Sequence, residues 1–233
     1  MSEFIYQGSE LPVFEHAVRW KAYFVRTLAP LVRGDVLEVG AGLGATSLAF
    51  ASLGFDRWLA LEPDAGLFGE LSRRLGVDPR YEARSGTVAD LDGSRRFDTA
   101  MYIDVLEHID GDRAELDRTA RLLKPGGALI VLAPAHPWLY SEFDRAIGHV
   151  QRYTRQALER AAGPLLRLER MFFLDAVGLV ASAANRLLLR SGHPTVSQIQ
   201  FWDRALIPCS RVLDPLLGRR LGRSIIGVWS RVP

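Results

Sequence analysis

Apolar and polar positions along this chain fall into two alternating rhythms. Compact apolar runs at residues 35–39, 57–62, 97–103 and 128–133 read as strands; the third, FDTAMYI, is continuous, as a parallel strand covered on both faces should be. Between them, residues 43–53, 64–75 and 110–123 carry apolar residues at helical spacing. In the last of these, Leu116, Ala120 and Leu123 share a face, and Asp110 or Asp112 can cap it. KPGG at 124–127 is expected to stop that helix with a proline and two glycines. A short strand is predicted at 80–84. A leading helix is predicted over 11–29, with Phe14, Val18 and Val25 among its apolar positions. Strand–helix alternation at this spacing implies right-handed crossovers and a parallel sheet.

The rhythm changes after residue 135. HPWLYSEFDRAIGHVQRYT (136–154), dense in aromatic and charged residues, precedes a short helix at 154–162 and a strand at 165–173. Two helical stretches broken by Pro194, Pro208 and Pro215 follow, and a strand at 224–231 ends the chain. Two late strands around a helical insertion (175–223) suggest an antiparallel addition at one sheet edge. The most apolar window, 171–189, contains Asp175 and Asn185. With Phe173, Val177, Val180, Ala184 and Leu188 on one face and Asp175, Ser182 and Arg186 on another, it reads as an amphipathic helix rather than a membrane span.

Composition narrows the setting. A chain of 233 residues suits one large α/β domain. A single cysteine, Cys209, excludes an internal disulfide framework and zinc-ribbon spacing, and favours a reducing, cytoplasmic location. The N-terminus lacks the basic start and apolar block of a signal peptide. Net charge is only +2, but residues 145–233 hold 14 Arg, no Lys and five acids, a formal +9, against −7 for residues 1–144. A basic C-terminal side suits an anionic substrate or membrane headgroups, and a solvated face of scattered arginines reads equally well. With no basic helix cluster and no interleaved aromatic platform, nucleic acid is not an expected partner.

The chemistry starts at VLEVGAGLGATS, residues 36–47. Gly40, Gly42 and Gly44 follow a strand and open a helix, and Glu62 ends the next strand about 20 residues on, where a ribose diol is held in doubly wound folds. Scored as G-x-G-x-x-A through Ala45, the loop would also serve a dinucleotide, as in a nicotinamide-dependent oxidoreductase. Glu38 and Asp104 flank the same crevice, however, and would repel a pyrophosphate. They favour the sulfonium and ammonium of S-adenosylmethionine.

VLEVGAGLGATS, LALEPD, SGTVADL, FDTAMYIDVLEH and LLKPGGALIVLAPA, in this order and spacing, resemble the successive motifs of class I S-adenosylmethionine-dependent methyltransferases across residues 30–135. The flanks ELPVFEHAVRWKAYF and FDRAIGHVQRYTRQAL resemble a bacterial subgroup with small-molecule substrates. The resemblance implies a Rossmann-like, mostly parallel seven-stranded sheet with an antiparallel last strand. It implies one methyltransferase domain over 1–233: an N-terminal helical cap (1–30), a cofactor-binding core (31–135) and a substrate side (136–233). It implies that Gly40, Gly42 and Gly44 let the backbone approach the methionyl part, that Glu38 orders the loop, that Glu62 takes the ribose hydroxyls with Pro63 packing nearby, that Gly86 and Thr87 meet adenine, and that Asp104 and Val105 flank the ligand. The family's usual acid after the third strand is absent here unless Asp90 serves.

Methyl transfer is an in-line displacement that needs a general base only for a protonated nucleophile. Of His16, His108, His136, His149 and His193, the first choice is His149, set in DRAIGHVQRYT beside Arg145, Arg152 and Tyr153, residues suited to an acidic or hydroxylated acceptor. His136 is second. Tyr140 is a candidate substrate wall, as are Tyr6 and Trp20. Asp104, Glu107 and His108 form a D-x-x-E-H string, which some quinone O-methyltransferases of the superfamily use for a divalent metal; as the start of a helix it needs none, and no metal is expected. The expectation is methyl transfer to a small acceptor, anionic or hydrophobic, with an O- or N-nucleophile. The insertion would cover substrate, meet membrane or form a homodimer. The rivals are an NAD(P)-dependent oxidoreductase and a non-catalytic cofactor-binding protein of the same fold.

Overall fold

The computed structural model describes residue 8, residues 11–186 and residues 195–233; Tyr6, Leu188, His193 and Pro194 lie outside the described residues. Seven strands form one sheet: β1 (Gly34–Val39), β2 (Phe55–Glu62), β3 (Tyr81–Ser85), β4 (Phe97–Ile103), β5 (Leu123–Pro134), β6 (Leu166–Leu174) and β7 (Ser224–Arg231). Their order is β3-β2-β1-β4-β5-β7-β6. The first five are parallel, and β7 runs antiparallel between β5 and β6. Strand order reverses between β1 and β4, both of which point their C-terminal ends at one crevice.

Alternation along each strand divides the core into two layers. On one face Val36, Trp58, Met101, Ile130 and Ile226 pack with Trp20, Phe24 and Leu28 of α2 (Val18–Leu28). On the other, Leu37, Leu59, Tyr102, Val131 and Trp229 pack with α5 (Asp112–Leu122) and α7 (Arg155–Ala161) through Leu116, Ala120 and Leu158. The remaining α-helices among the described residues are α1 (Leu11–Phe14), α3 (Ala45–Ala49), α4 (Ala65–Leu75), α6 (Glu142–Ala146), α8 (Ala176–Ala184), α9 (Val196–Phe201) and α10 (Ile207–Leu216).

The elements depart from expectation at several points. The leading helix divides into α1 and α2. KPGG lies inside β5, which begins at Leu123; Gly126 takes φ +74, and the β4–β5 register shifts there. Pro208 does not break its helix: a π turn at Trp202–Leu206 joins α9 to α10, and the Arg204 carbonyl that Pro208 cannot serve accepts from Arg19 Nη1 at 2.6 Å. Pro215 likewise sits within the last turn of α10.

The apolar window at 171–189 is not one helix. β6 runs to Leu174, and Asp175 turns with φ +67 to cap α8, accepting from Gly178 N at 2.9 Å. Asp175 is therefore buried, not on a polar face, and Val180 is exposed. No described helix is long and apolar enough to cross a membrane. Three buried carboxylates fasten the insertion to the core. Asp175 also accepts from Trp202 Nε1 and Ser210 Oγ, Asp203 accepts from Trp20 N, and Asp214 accepts from Tyr23 OH and Ala176 N.

Candidate active site

The strand ends, α1 and α2, the 137–152 segment and the insertion enclose a cavity of about 1150 Å³. Ligand pockets commonly measure about 300–1,000 Å³, so there is room for a cofactor and an acceptor together. Gly40, Ala41 and Gly42 form one wall. Gly40 turns at φ +69, and a Cβ there would lie 2.8 Å from both Val105 methyls. Bare backbone at this point is thus a requirement of the packing, and backbone is what Gly40 presents to the cavity.

The two acids beside the loop have different fates. Glu38 is 2% exposed and turned inward, accepting from Ser47 Oγ and from Trp58 Nε1 at 2.8 Å. It orders the loop from behind, and burial pushes its pKa up to about 7 despite those bonds. Only Asp104 brings a carboxylate into the cavity from this pair. It ends β4 with φ +54, open to cavity water yet ringed by protein. That enclosure pushes it up to about 6, against the pull of His149, Arg223 and Arg152.

Glu62 is buried outside the cavity lining. Its oxygens accept from Gly42 N at 2.8 Å and Asp64 N at 2.9 Å, so it sets the loop's shape and keeps one lone pair per oxygen for another donor. Pro63 follows it, half-buried. Gly44 caps α3 with φ +77. Gly86 N donates to the Glu62 carbonyl, and the Thr87 amide and hydroxyl both donate to Asp90 at 2.8 Å. Asp90 is thereby committed to a capping box.

A polar cluster also lines the cavity. His149 Nδ1 is 2.9 Å from Asp144 Oδ1, and Arg152 donates to both oxygens of Asp144 at 2.8 and 3.0 Å. Burial alone would raise the Asp144 carboxyl; the bonds from His149 and Arg152 outweigh it and hold Asp144 well below the carboxylate range. Asp144 also closes a capping box with Ser141 that fixes α6. Glu107, fully buried, has no hydrogen-bond partner for either carboxylate oxygen among the described residues, and one oxygen lies 3.7 Å from His149 Nε2. Burial, then Asp104, push its pKa far up. The His108 ring meets that of His149 edge-on at 4.6 Å, and burial lowers its pKa to about 4. Glu107, His108 and His149 offer ligand atoms within 4.8 Å of one another, a set that could receive a metal ion.

Other sequence candidates fall elsewhere. His136 is outside the cavity lining: its Nε2 is 2.9 Å from the Gly222 carbonyl and its ring stacks on Phe173. Tyr153 is fully buried, bonding Leu106 O and Asp112. Tyr140 does line the cavity, its hydroxyl donating to the His149 carbonyl at 2.6 Å. Arg145 stands at the rim, paired with Glu142. Trp20 lines the cavity while packing on Trp202. Sequence reasoning missed Asp144, although the D-x₄-H-x₂-R spacing was a usable signal. It also missed Arg223, which lines the cavity with its guanidinium 5.0 Å from the Trp202 ring centroid and left no local signal.

Residues 14–169 match a family model described as a methyltransferase domain. The ubiquinone biosynthesis O-methyltransferase of Rhodopseudomonas palustris (strain BisB5) is 31% identical over 106 residues, covering 44% of this chain and 41% of that protein. The demethylmenaquinone methyltransferase of Clavibacter sepedonicus is 30% identical over 113 residues, covering 48% and 46%. The chain thus spans less than half the length of these curated relatives. Among solved structures, the N-methyltransferase NodS of Bradyrhizobium japonicum WM9 in complex with S-adenosyl-L-homocysteine superposes with a TM-score of 0.60 at 13% identity, covering 96% of this chain and 89% of that one. A geranyl diphosphate methyltransferase in complex with SAM gives 0.60 at 16% identity, covering 92% and 85%. At such identities the likeness is one of fold.

Proposed function

The chain belongs to the methyltransferase-domain family matched by residues 14–169, and on that premise we propose that it moves a methyl group from S-adenosylmethionine to the oxygen or nitrogen of a small organic acceptor, leaving S-adenosylhomocysteine. The observation that carries this reading is the Gly40 turn, where no side chain fits, beside Asp104 in a cavity that His149 also lines. The cofactors named for the NodS and geranyl diphosphate methyltransferase structures support the choice of donor.

In this reading the donor supplies a methyl group on a positively charged sulfur. The chain supplies alignment, enclosure and a proton acceptor. The bare backbone at Gly40 and the Asp104 carboxylate hold the methionyl end, and Glu62, whose bonds from Gly42 N and Asp64 N set the loop, keeps its remaining lone pairs for the ribose. Asp144, being ionised, accepts from His149 Nδ1 and leaves Nε2 to take a proton from a hydroxyl or ammonium. Arg223 and Arg152 bias the acceptor pocket towards an anionic group, with Arg145 at the rim and Tyr140 as a wall. His136 and Tyr153 are left to packing. No step requires a metal, because the sulfonium is already a good leaving group.

The reading treats residues 1–233 as one domain, capped by 1–30, with the cofactor core at 31–135 and the acceptor side at 136–233. Calorimetry with S-adenosylhomocysteine and with NADH tests the donor. Binding of the former alone is expected; heat from NADH with none from the adenosyl ligand would return the oxidoreductase. Transfer of labelled methyl to a small acceptor separates an enzyme from a binding protein of the same fold.

A further inference from the structure

α10 is amphipathic in the reverse sense. Its buried side carries Ile207, Ser210 and Asp214, two of the three polar. Its outer side carries Cys209, Val212, Leu213 and Leu216, with Val212 63% and Leu216 76% exposed. At helical spacing these four fall within an arc of about 100°. The apolar strip continues into Leu217 and Leu221, which are also exposed. A helix that met only water would place these groups the other way round.

The charge around the strip has one sign. Both acids of residues 195–223, Asp203 and Asp214, are buried on internal hydrogen bonds, as is Asp175 before them. The exposed charged residues of the same stretch are Arg204, Arg211 and Arg220. A second copy of the chain, related by a twofold axis, would bring like-charged rims together. An anionic lipid surface meets both needs: its headgroup–acyl boundary takes the leucines and its phosphates take the guanidinium groups. We propose that the outer face of α10 rests in the plane of an anionic membrane surface. α10 is ten residues long, about 15 Å, and no described helix suffices to span a bilayer. The segment just before α10 lines the cavity through Ile199, Phe201 and Trp202.

The test is flotation of the purified full chain with vesicles of phosphatidylcholine alone, or of phosphatidylcholine with phosphatidylglycerol, at low and high salt. The protein is expected to float with the anionic vesicles at least about tenfold better than with the neutral ones, and high salt should release much of it. Val212→Glu and Leu216→Glu, both at exposed positions, should abolish flotation at unchanged melting temperature. Arg211→Glu with Arg220→Glu should reduce it by roughly fivefold or more per arginine. Absence of flotation, or equal flotation by these variants, overturns the proposal. So does a dimer in light scattering that Leu216→Glu dissociates. None of these variants touches the donor site, so calorimetry with S-adenosylhomocysteine stays an independent measure of the proposed activity.

Discussion

His149 and Asp144 are joined Nδ1 to Oδ1 at 2.9 Å, and in the proposed mechanism this bond decides which face of the imidazole serves as base. An Asp144 held ionised by Arg152 can only accept, so the shared proton sits on Nδ1. Nε2, 3.7 Å from Glu107 Oε1, is the nitrogen left to act as acceptor in the proposed mechanism.

Asp144→Asn should therefore damage turnover more than folding. The amide can present N–H to Nδ1, which shifts the imidazole to the other tautomer, and it gives up the charge that orients Arg152. Loss of a positioned base costs on the order of 100-fold or more in kcat. The dissociation constant of S-adenosylhomocysteine should stay near that of the parent, as should that of His149→Ala. Parental turnover in either variant would remove the pair from the mechanism.

Glu62 holds the loop and, in the proposed function, the ribose as well, and its variants separate the two roles. Glu62→Ala strands the amides of Gly42 and Asp64, at about 1–3 kcal/mol each, and removes the ribose acceptor. S-adenosylmethionine affinity should drop at least about tenfold, with a lower melting temperature. Glu62→Gln keeps one oxygen for the loop but turns an NH₂ towards the other amide, so it should fall between the two. Unchanged affinity by calorimetry in Glu62→Ala would refute the ribose role.

Glu38 makes stability depend on pH. Burial lifts its pKa from 4.5 to about 7 in the fold. The unfolded chain gives up this proton first as pH rises, so the contribution is full below about 4.5 and lost as pH climbs through 7. Glu38→Gln should keep both accepted bonds through its carbonyl oxygen without that dependence. Its melting temperature relative to the parent should rise from pH 5 to pH 8, with a ceiling on the order of 3 kcal/mol. A constant difference across that range would mean that Glu38 titrates normally.

What could be read before folding was what is locally encoded. The unbroken apolar run 97–103 became β4, and 224–231 became β7, because a covered strand needs only its own residues to announce itself. The glycine loop was legible for the same reason. Orientation was not. Glu38 and Asp104 look alike as acids beside a turn, and only Ser47 and Trp58 decide that one faces inward. Arg223 reaches the cavity from beyond the insertion, with no neighbouring residue to mark it. Pro208 passes through a helix because Arg19, 189 residues earlier, serves the carbonyl it leaves free.

Gly40 offers the sharpest test of the loop, because two separable costs meet there. Gly40→Ala places a methyl group 2.8 Å from both Val105 methyls, and also forces an L-residue to φ +69. The second cost is about 1–2 kcal/mol and belongs to the backbone alone; the first is steric and belongs to Val105. Gly40→Ala should thus lower the melting temperature and weaken S-adenosylhomocysteine binding together. Adding Val105→Ala makes room, so the double variant should regain part of the affinity but not all, the left-handed turn remaining strained. Double-mutant analysis of calorimetric affinities reads this coupling directly. Simple additivity of the two substitutions would mean that Val105 does not set the loop's position. Full recovery would mean that alanine pays nothing for the turn.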